Sequence, residues 1–234
     1  MGVSLRSINS ILTDNLLFCV DAANTKSYSG SGSTWTDIIG GHDVTLLNSP
    51  TFNTDNGGSI VFDDASTSEY AQSSASSDLI LGTKDYAMSI WFKFHDLKTE
   101  IGLLDNRTAH GNGTCFSINQ SGSYMRIKVW EDNGSAYAFE STTDLSTNTW
   151  YNITYTRVSN SASMYINGVK DGSSWTQSHN YSAGNKITIG WNYSVQSGKS
   201  LDGNISHVLF YVDKSFTDSE VKQNFDALKG RFGL

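Results

Sequence analysis

Residues Trp150 to Val169 read WYNITYTRVSNSASMYINGV, and this stretch spells two strands joined by a tight turn. Tyr151, Ile153 and Tyr155 alternate with Asn152, Thr154 and Thr156, so one face is larger and more apolar than the other, which predicts a half-buried strand. Ser163 to Ile166 then runs into Asn167-Gly168, the dipeptide that most readily supplies the two successive positive φ angles of a type I′ hairpin, and Val169 begins the return strand.

Similar runs lie on both sides. LLFCVDAAN from Leu16, Val44 to Leu47, Ser59 to Phe62, Glu69 to Ala71, Lys186 to Trp191 and Asn204 to Val212 all read as strands, separated by Gly, Ser, Asn and Asp. YAMSIWFKF, Tyr86 to Phe94, places Ile90, Phe92 and Phe94 on one face and Trp91 and Lys93 on the other, which predicts a central strand covered on both sides. Tyr124 to Trp130 alternates Met125, Ile127 and Val129 with Tyr124, Arg126, Lys128 and Trp130. Its partner is Tyr137 to Glu140. A two-residue Asn133-Gly134 turn would set Val129 against Ala138, whereas a three-residue loop sets Val129 against Phe139 and Lys128 against Glu140, so register predicts the longer turn with a bulge. One helix is expected, from about Asp218 to Lys229: Thr217 and Glu220 form a capping box, Phe216 staples to Val221, and Gly230 ends it.

The chain has 234 residues, 38% of them hydrophobic and 12% aromatic, enough for one domain that buries roughly 70% of its unfolded surface without staples. Short strands and a single proline predict an all-β, two-sheet antiparallel sandwich over residues 15–234, preceded by an N-terminal arm over residues 1–14. A net charge of −7 without a basic cluster argues against nucleic-acid or anionic-membrane partners. No apolar run is long enough for membrane insertion, and Thr13, Asp14 and Asn15 interrupt what would be a signal-peptide core. Cys19 and Cys115 each sit in a strand-like run and are expected as buried free thiols. Asn-x-Ser/Thr triplets recur, Asn152 within a predicted strand, and are taken as composition rather than glycosylation sites.

The Trp-Tyr-x-Ile strand and Tyr-Ile-Asn-Gly hairpin resemble those of laminin G-like domains of the concanavalin A-like jelly-roll superfamily. The opening, with Asp21, Ala22, Asn24, Ser27, Tyr28, Gly32, Trp35 and Asp37, resembles laminin G-like segments in structural proteins of tailed bacteriophages of marine bacteria. So does the ending VKQNFDALKGRFGL, and Asp202-Gly203-x-Ile205 resembles the strand that closes such domains. The resemblance implies a concanavalin A-like jelly roll with one short C-terminal helix. It further implies a virion component, made in the host cytoplasm and carried on the virion surface as capsid decoration or tail-associated protein. Its partners would then be other virion proteins, copies of itself and host-surface glycans. A free carbohydrate-binding lectin module is the alternative, and a glycoside hydrolase a weaker one.

Hydrolase chemistry on this fold wants two carboxylates on one strand, and no Glu-x-Asp-x-x-Glu run occurs. Asp63-Asp64, Glu131-Asp132 and Asp213 read as turn formers. The histidines lack zinc-ligand spacing. Calcium, which the resemblance raises through the loops at 105–113 and 191–199, would find only Asp105 there, so no cofactor is expected; a single structural Ca2+ near Asp63 or Asp202 stays as the exception. Those loops supply Asn106, Arg107, His110, Asn112, Asn192 and Tyr193, planar hydrogen-bonding groups and a ring of the kind that grips a sugar, set against an ordinary polar rim. Tyr124, Arg126, Lys128 and Trp130 on one strand face form the candidate partner-binding strip, set against a plain solvated face.

Overall fold

The computed structural model describes residues 10–64, 68–107, 112–132, 137–191 and 199–234. In chain order the first strands are β1 (Leu16–Asp21), β2 (Thr34–Trp35), β3 (Val44–Leu47), β4 (Thr51–Asn53), β5 (Ser59–Phe62), β6 (Tyr70–Ser73), β7 (Tyr86–Phe94) and β8 (Glu100–Asp105). They continue as β9 (Gly113–Ser121), β10 (Tyr124–Asp132), β11 (Tyr137–Glu140), β12 (Tyr151–Val158), β13 (Ser161–Ile166), β14 (Val169–Thr176), β15 (Thr188–Ile189) and β16 (Gly203–Val212), before helix α1 (Asp218–Leu228). All pairs are antiparallel and build two sheets. The first runs β14-β13-β12-β7-β16-β5-β4 with β1 also on β16; the second runs β11-β10-β9-β8-β15-β6-β3-β2.

The Asn167-Gly168 hairpin forms as expected: Asn167 and Gly168 take φ of 51° and 75°, and Ile166 faces Val169. The half-buried expectation for β12 is corrected, since seven of its eight residues are buried. Tyr151, Ile153 and Tyr155 face the core between the sheets, while the other face is covered by the C-terminal segment. There Asn152 and Thr154 bond to Ser89 Oγ, and Thr156 Oγ1 accepts the Phe216 N–H at 2.7 Å. Phe225 and Phe232 stack on Trp91, with ring centroids 5.5 and 4.1 Å away.

β7 lies between β12 and β16 with both faces covered, as its composition predicts. β16 is buried at all ten positions and passes so close to β7 that a Cβ on Gly203 would stand 2.1 Å from the Lys93 carbonyl oxygen, so only glycine fits. Lys128 faces Glu140 and Val129 faces Phe139, the register expected of the longer loop, with a bulge before Trp130. The capping box is present, Thr217 Oγ1 accepting from Glu220 N and Glu220 Oε2 from Thr217 N. Gly230 does not end the helix; the chain tightens into a 3-10 turn over Lys229–Phe232, and the left-handed residue is Gly233. The last part of the expected arm lies against its own domain. Leu12 donates to Asn224 Oδ1 at 2.8 Å and accepts from the Tyr211 hydroxyl at 2.7 Å, while Ile11 and Leu12 pack beside Phe216 and Val221. Residues 1–9 lie outside the described residues.

Candidate functional site

The helix closes the outer face of the first sheet; on the outer face of the second, Cys115, Ser117 and Asn119 of β9 are buried, and β10 carries the more accessible positions. On β10, Met125, Ile127 and Val129 point into the core, and Tyr124, Arg126, Lys128 and Trp130 point out, as their alternation predicts. The charged groups on this face are held in ion pairs. Arg126 Nε donates to Asp144 Oδ1 at 2.8 Å, Lys128 Nζ lies 3.4 Å from Glu140 Oε2, and Lys199 Nζ donates to Glu100 Oε2 at 2.8 Å. Trp130 Nε1 donates to Ser117 Oγ at 2.8 Å, which fixes the indole against β9. Tyr124 is 55% exposed. Two aromatic rings thus flank a strip of neutralised charge, a surface suited to polar, uncharged ligands.

The other predicted cluster is divided. Asp105 pairs with Thr188 and Leu104 with Ile189 in antiparallel register, so the chain leaves β8 after Asp105 and β15 after Ile189 in opposite directions. Asn106 and Arg107 are buried. Asn106 Nδ2 donates to the Leu79 and Lys186 carbonyls, and Arg107 grips Asp105 through Nε and Nη2, the latter at 2.7 Å. Asn112 shares their neighbourhood: a Cβ on Gly184 would stand 2.6 Å from Asn106 O and 2.8 Å from Asn112 O. Asn106 and Arg107 therefore tie the edge of the sandwich together rather than lining a rim. His110, Asn192 and Tyr193 lie outside the described residues.

Sequence reasoning missed a buried polar cluster. Glu131, taken as a turn former, belongs to β10, and its side chain is 0% exposed, as is that of Arg157 on β12. Arg157 Nη1 donates to Glu131 Oε2 at 2.5 Å, Nε donates to His179 Nδ1 at 2.8 Å, and Nη2 bonds the Gln177 carbonyl. The Tyr86 hydroxyl, 2.6 Å from Thr114 Oγ1, donates to Glu131 Oε1 at 2.6 Å. Burial first, and then the Glu131 charge, pushes the Tyr86 hydroxyl pKa well up; burial and then the Arg157 cation lower that of His179. The cluster joins the two sheets inside the core. It presents a single carboxylate, and that one is neutralised.

At the opposite end of β16, Asp202 and Asp63 extend neighbouring strands, since Gly203 faces Phe62. Asp202 Oδ1 lies 3.1 Å from His95 Nδ1, and Asp64 pairs with Lys98. Burial raises the carboxyl pKa of both Asp202 and Glu69. Among the described residues no three potential metal ligands converge, here or elsewhere.

A profile described as the concanavalin A-like lectin/glucanases superfamily, of the laminin G type, matches residues 63–222. The chain belongs to this superfamily. No curated protein matches it in sequence. Among solved structures, this concanavalin A-like domain is similar to domain 4 of AbnA, a GH43 extracellular arabinanase from Geobacillus stearothermophilus, in complex with arabinotriose. The TM-score is 0.66 at 16% identity, over 90% of this chain and 98% of that one. It is similar to Trypanosoma rangeli sialidase in complex with sialic acid, with TM-score 0.67 at 13% identity over 95% of this chain and 34% of the sialidase. It is also similar to the binding domain of Paraclostridial Mosquitocidal Protein 1, with TM-score 0.65 at 15% identity over 91% and 52%. The superfamily domain here thus spans about a third of the sialidase and half of that binding domain, and the likeness is one of fold. Among the described residues no helix is long and apolar enough to cross a membrane.

Proposed function

We propose that this domain is a non-enzymatic virion component that contacts host-surface glycans through the β10 strip on the outer face of its second sheet. The observation that carries the reading is the state of that face: Glu140, Asp144 and Glu100 are each paired with a cation, and β10 carries the rings of Tyr124 and Trp130. Glycoside hydrolysis needs one carboxyl held protonated and a second left ionised as nucleophile or base. These three carboxylates are each engaged by a cation, and rings beside fixed polar groups suit sugar binding. The virion setting is supported by the phage-like opening from Asp21 to Asp37 and the ending from Val221 to Leu234.

A carbohydrate-binding module outside a virion is the second reading. It is favoured by the match over nearly the whole length of an arabinanase domain that was solved with arabinotriose. Locating the chain by cryo-electron microscopy of assembled particles, together with glycan binding by the isolated chain, separates the two. Density for the domain on the capsid or tail is the expected result, with Trp130→Ala weakening glycan binding about tenfold. Particles without the chain would overturn the virion reading, and glycan turnover would overturn the non-enzymatic one.

A further inference from the structure

We propose that two clefts flanking Asp78 form one groove for a neutral disaccharide unit, a site separate from the β10 strip. The first cleft, about 350 Å³, is lined by Gly41, His42, Asp43, Ser74, Ala75 and Ser76. The second, about 370 Å³, has Leu16, Leu17 and Val212 as apolar wall and Asn15, Asp78, Lys84 and Asp213 as polar rim. Each lies near the lower end of the ligand-cleft range of about 300 to 1,000 Å³.

Asp78 joins them. Its carboxylate borders the second cleft, its backbone N–H donates to Ser76 Oγ at 3.4 Å, and its Oδ2 lies 3.9 Å from Nε2 of His42 in the first. That gap exceeds a hydrogen bond, and His42 Nε2 is a buried atom without a hydrogen-bond partner among the described residues. A small shift of the 63% exposed Asp78 side chain would admit a hydroxyl that bridges both groups. The surrounding loop is held in advance: Asp37 accepts from the backbone N–H groups of Cys19, Ile39, Gly40 and His42. Little ordering is then left for binding to supply. Leu17 is the extra residue where β1 bulges against β16, since Leu16 faces Tyr211 and Phe18 faces Phe210, and the bulge turns it toward the second cleft.

The lining selects the ligand class. Asp43, Asp78 and Asp213 outnumber Lys84, which disfavours an anion, and the apolar wall disfavours a bare cation. A sugar ring has an apolar C–H face for Leu16, Leu17 and Val212 and hydroxyls that donate to carboxylates and accept from lysine. Two such clefts side by side match two rings. The groove is distinct from the β10 strip, because β10 and β6 stand four strand positions apart in the second sheet, roughly 20 Å at about 4.8 Å per strand.

The choice of a sugar rests on the glycan-contact reading, and the test separates the two. The full chain, labelled with nitrogen-15, is titrated with lactose, cellobiose and maltose, with glucuronic acid as the anionic comparison. We expect at least one disaccharide to shift the amide resonances of His42, Ser76, Lys84 and Asp213. Asp78→Ala and Lys84→Ala should each weaken that binding about tenfold with the unfolding midpoint unchanged, and Tyr124→Ala should not. Shifts confined to β10, or binding indifferent to both groove variants, would overturn the groove and leave glycan contact standing. Stronger shifts with glucuronic acid would overturn the ligand class. No shift with any sugar would overturn both the groove and the reading beneath it.

Discussion

Replacing Arg157 by methionine should cost about 4 kcal/mol of folding stability, because it leaves Glu131 charged and without its cation in the core. Both side chains are 0% exposed. The substitution removes the ion pair to Glu131 and the bonds to His179 and Gln177, leaving the Tyr86 hydroxyl as donor to the carboxylate. Breaking a buried pair from one side costs about 3 to 5 kcal/mol. At about 2 to 4 °C per kcal/mol for a chain of this size, the melting temperature should fall by about 10 °C. Adding Glu131→Leu should recover part of the loss, since no buried charge then remains and Tyr86 keeps Thr114 as partner. Urea unfolding followed by tryptophan fluorescence gives the four corners of the cycle, with an expected coupling of at least about 2 kcal/mol. A single Arg157→Met variant within about 1 kcal/mol of the parent, or a coupling near zero, would refute the reasoning.

Thr217→Ala should cost about 1 kcal/mol through loss of the cap on α1, read as a lower urea midpoint; an unchanged midpoint would dismiss the cap. Gly203→Ala should cost at least about 2 kcal/mol, because the new Cβ meets the Lys93 carbonyl oxygen, and a melting temperature equal to the parent's would contradict that contact. His207 is buried with its pKa lowered to about 4, chiefly by burial. Its contribution is complete above the ordinary histidine pKa of about 6.5 and is lost as pH falls toward 4, about 3 kcal/mol in all. His207→Asn should flatten that part of the stability profile, and a profile as steep as the parent's would remove His207 as its source.

The sheet register was legible where charge and alternation agreed, as at Lys128 opposite Glu140, because a slip by one residue would have turned Val129 out of the core. The helix was equally legible from its local caps. The burial of Asn152, Thr154 and Thr156 was not, since it depends on a helix some sixty residues later folding back over their face. The internal ion pair left a signal that composition obscured. Glu131 continues the inward parity of Met125, Ile127 and Val129, and Arg157 that of Tyr151, Ile153 and Tyr155, so opposite charges at core positions on two strands already required each other. The turn-rich Asp132-Asn133-Gly134 that follows Glu131 drew attention from that parity. The loops at 105–113 and 191–199 looked like one site because neither β8 nor the two-residue β15 announces its pairing, and that pairing decides that the chain leaves them in opposite directions.

Saturation-transfer proton NMR of the intact chain mixed with arabinan, sialylated and neutral glucan oligosaccharides tests the central claim most directly, since one spectrum series reads both binding and cleavage. Saturation should transfer to at least one glycan, with anomeric signals unchanged over days. New reducing-end signals that grow in proportion to protein concentration, or no transfer to any glycan, would contradict it.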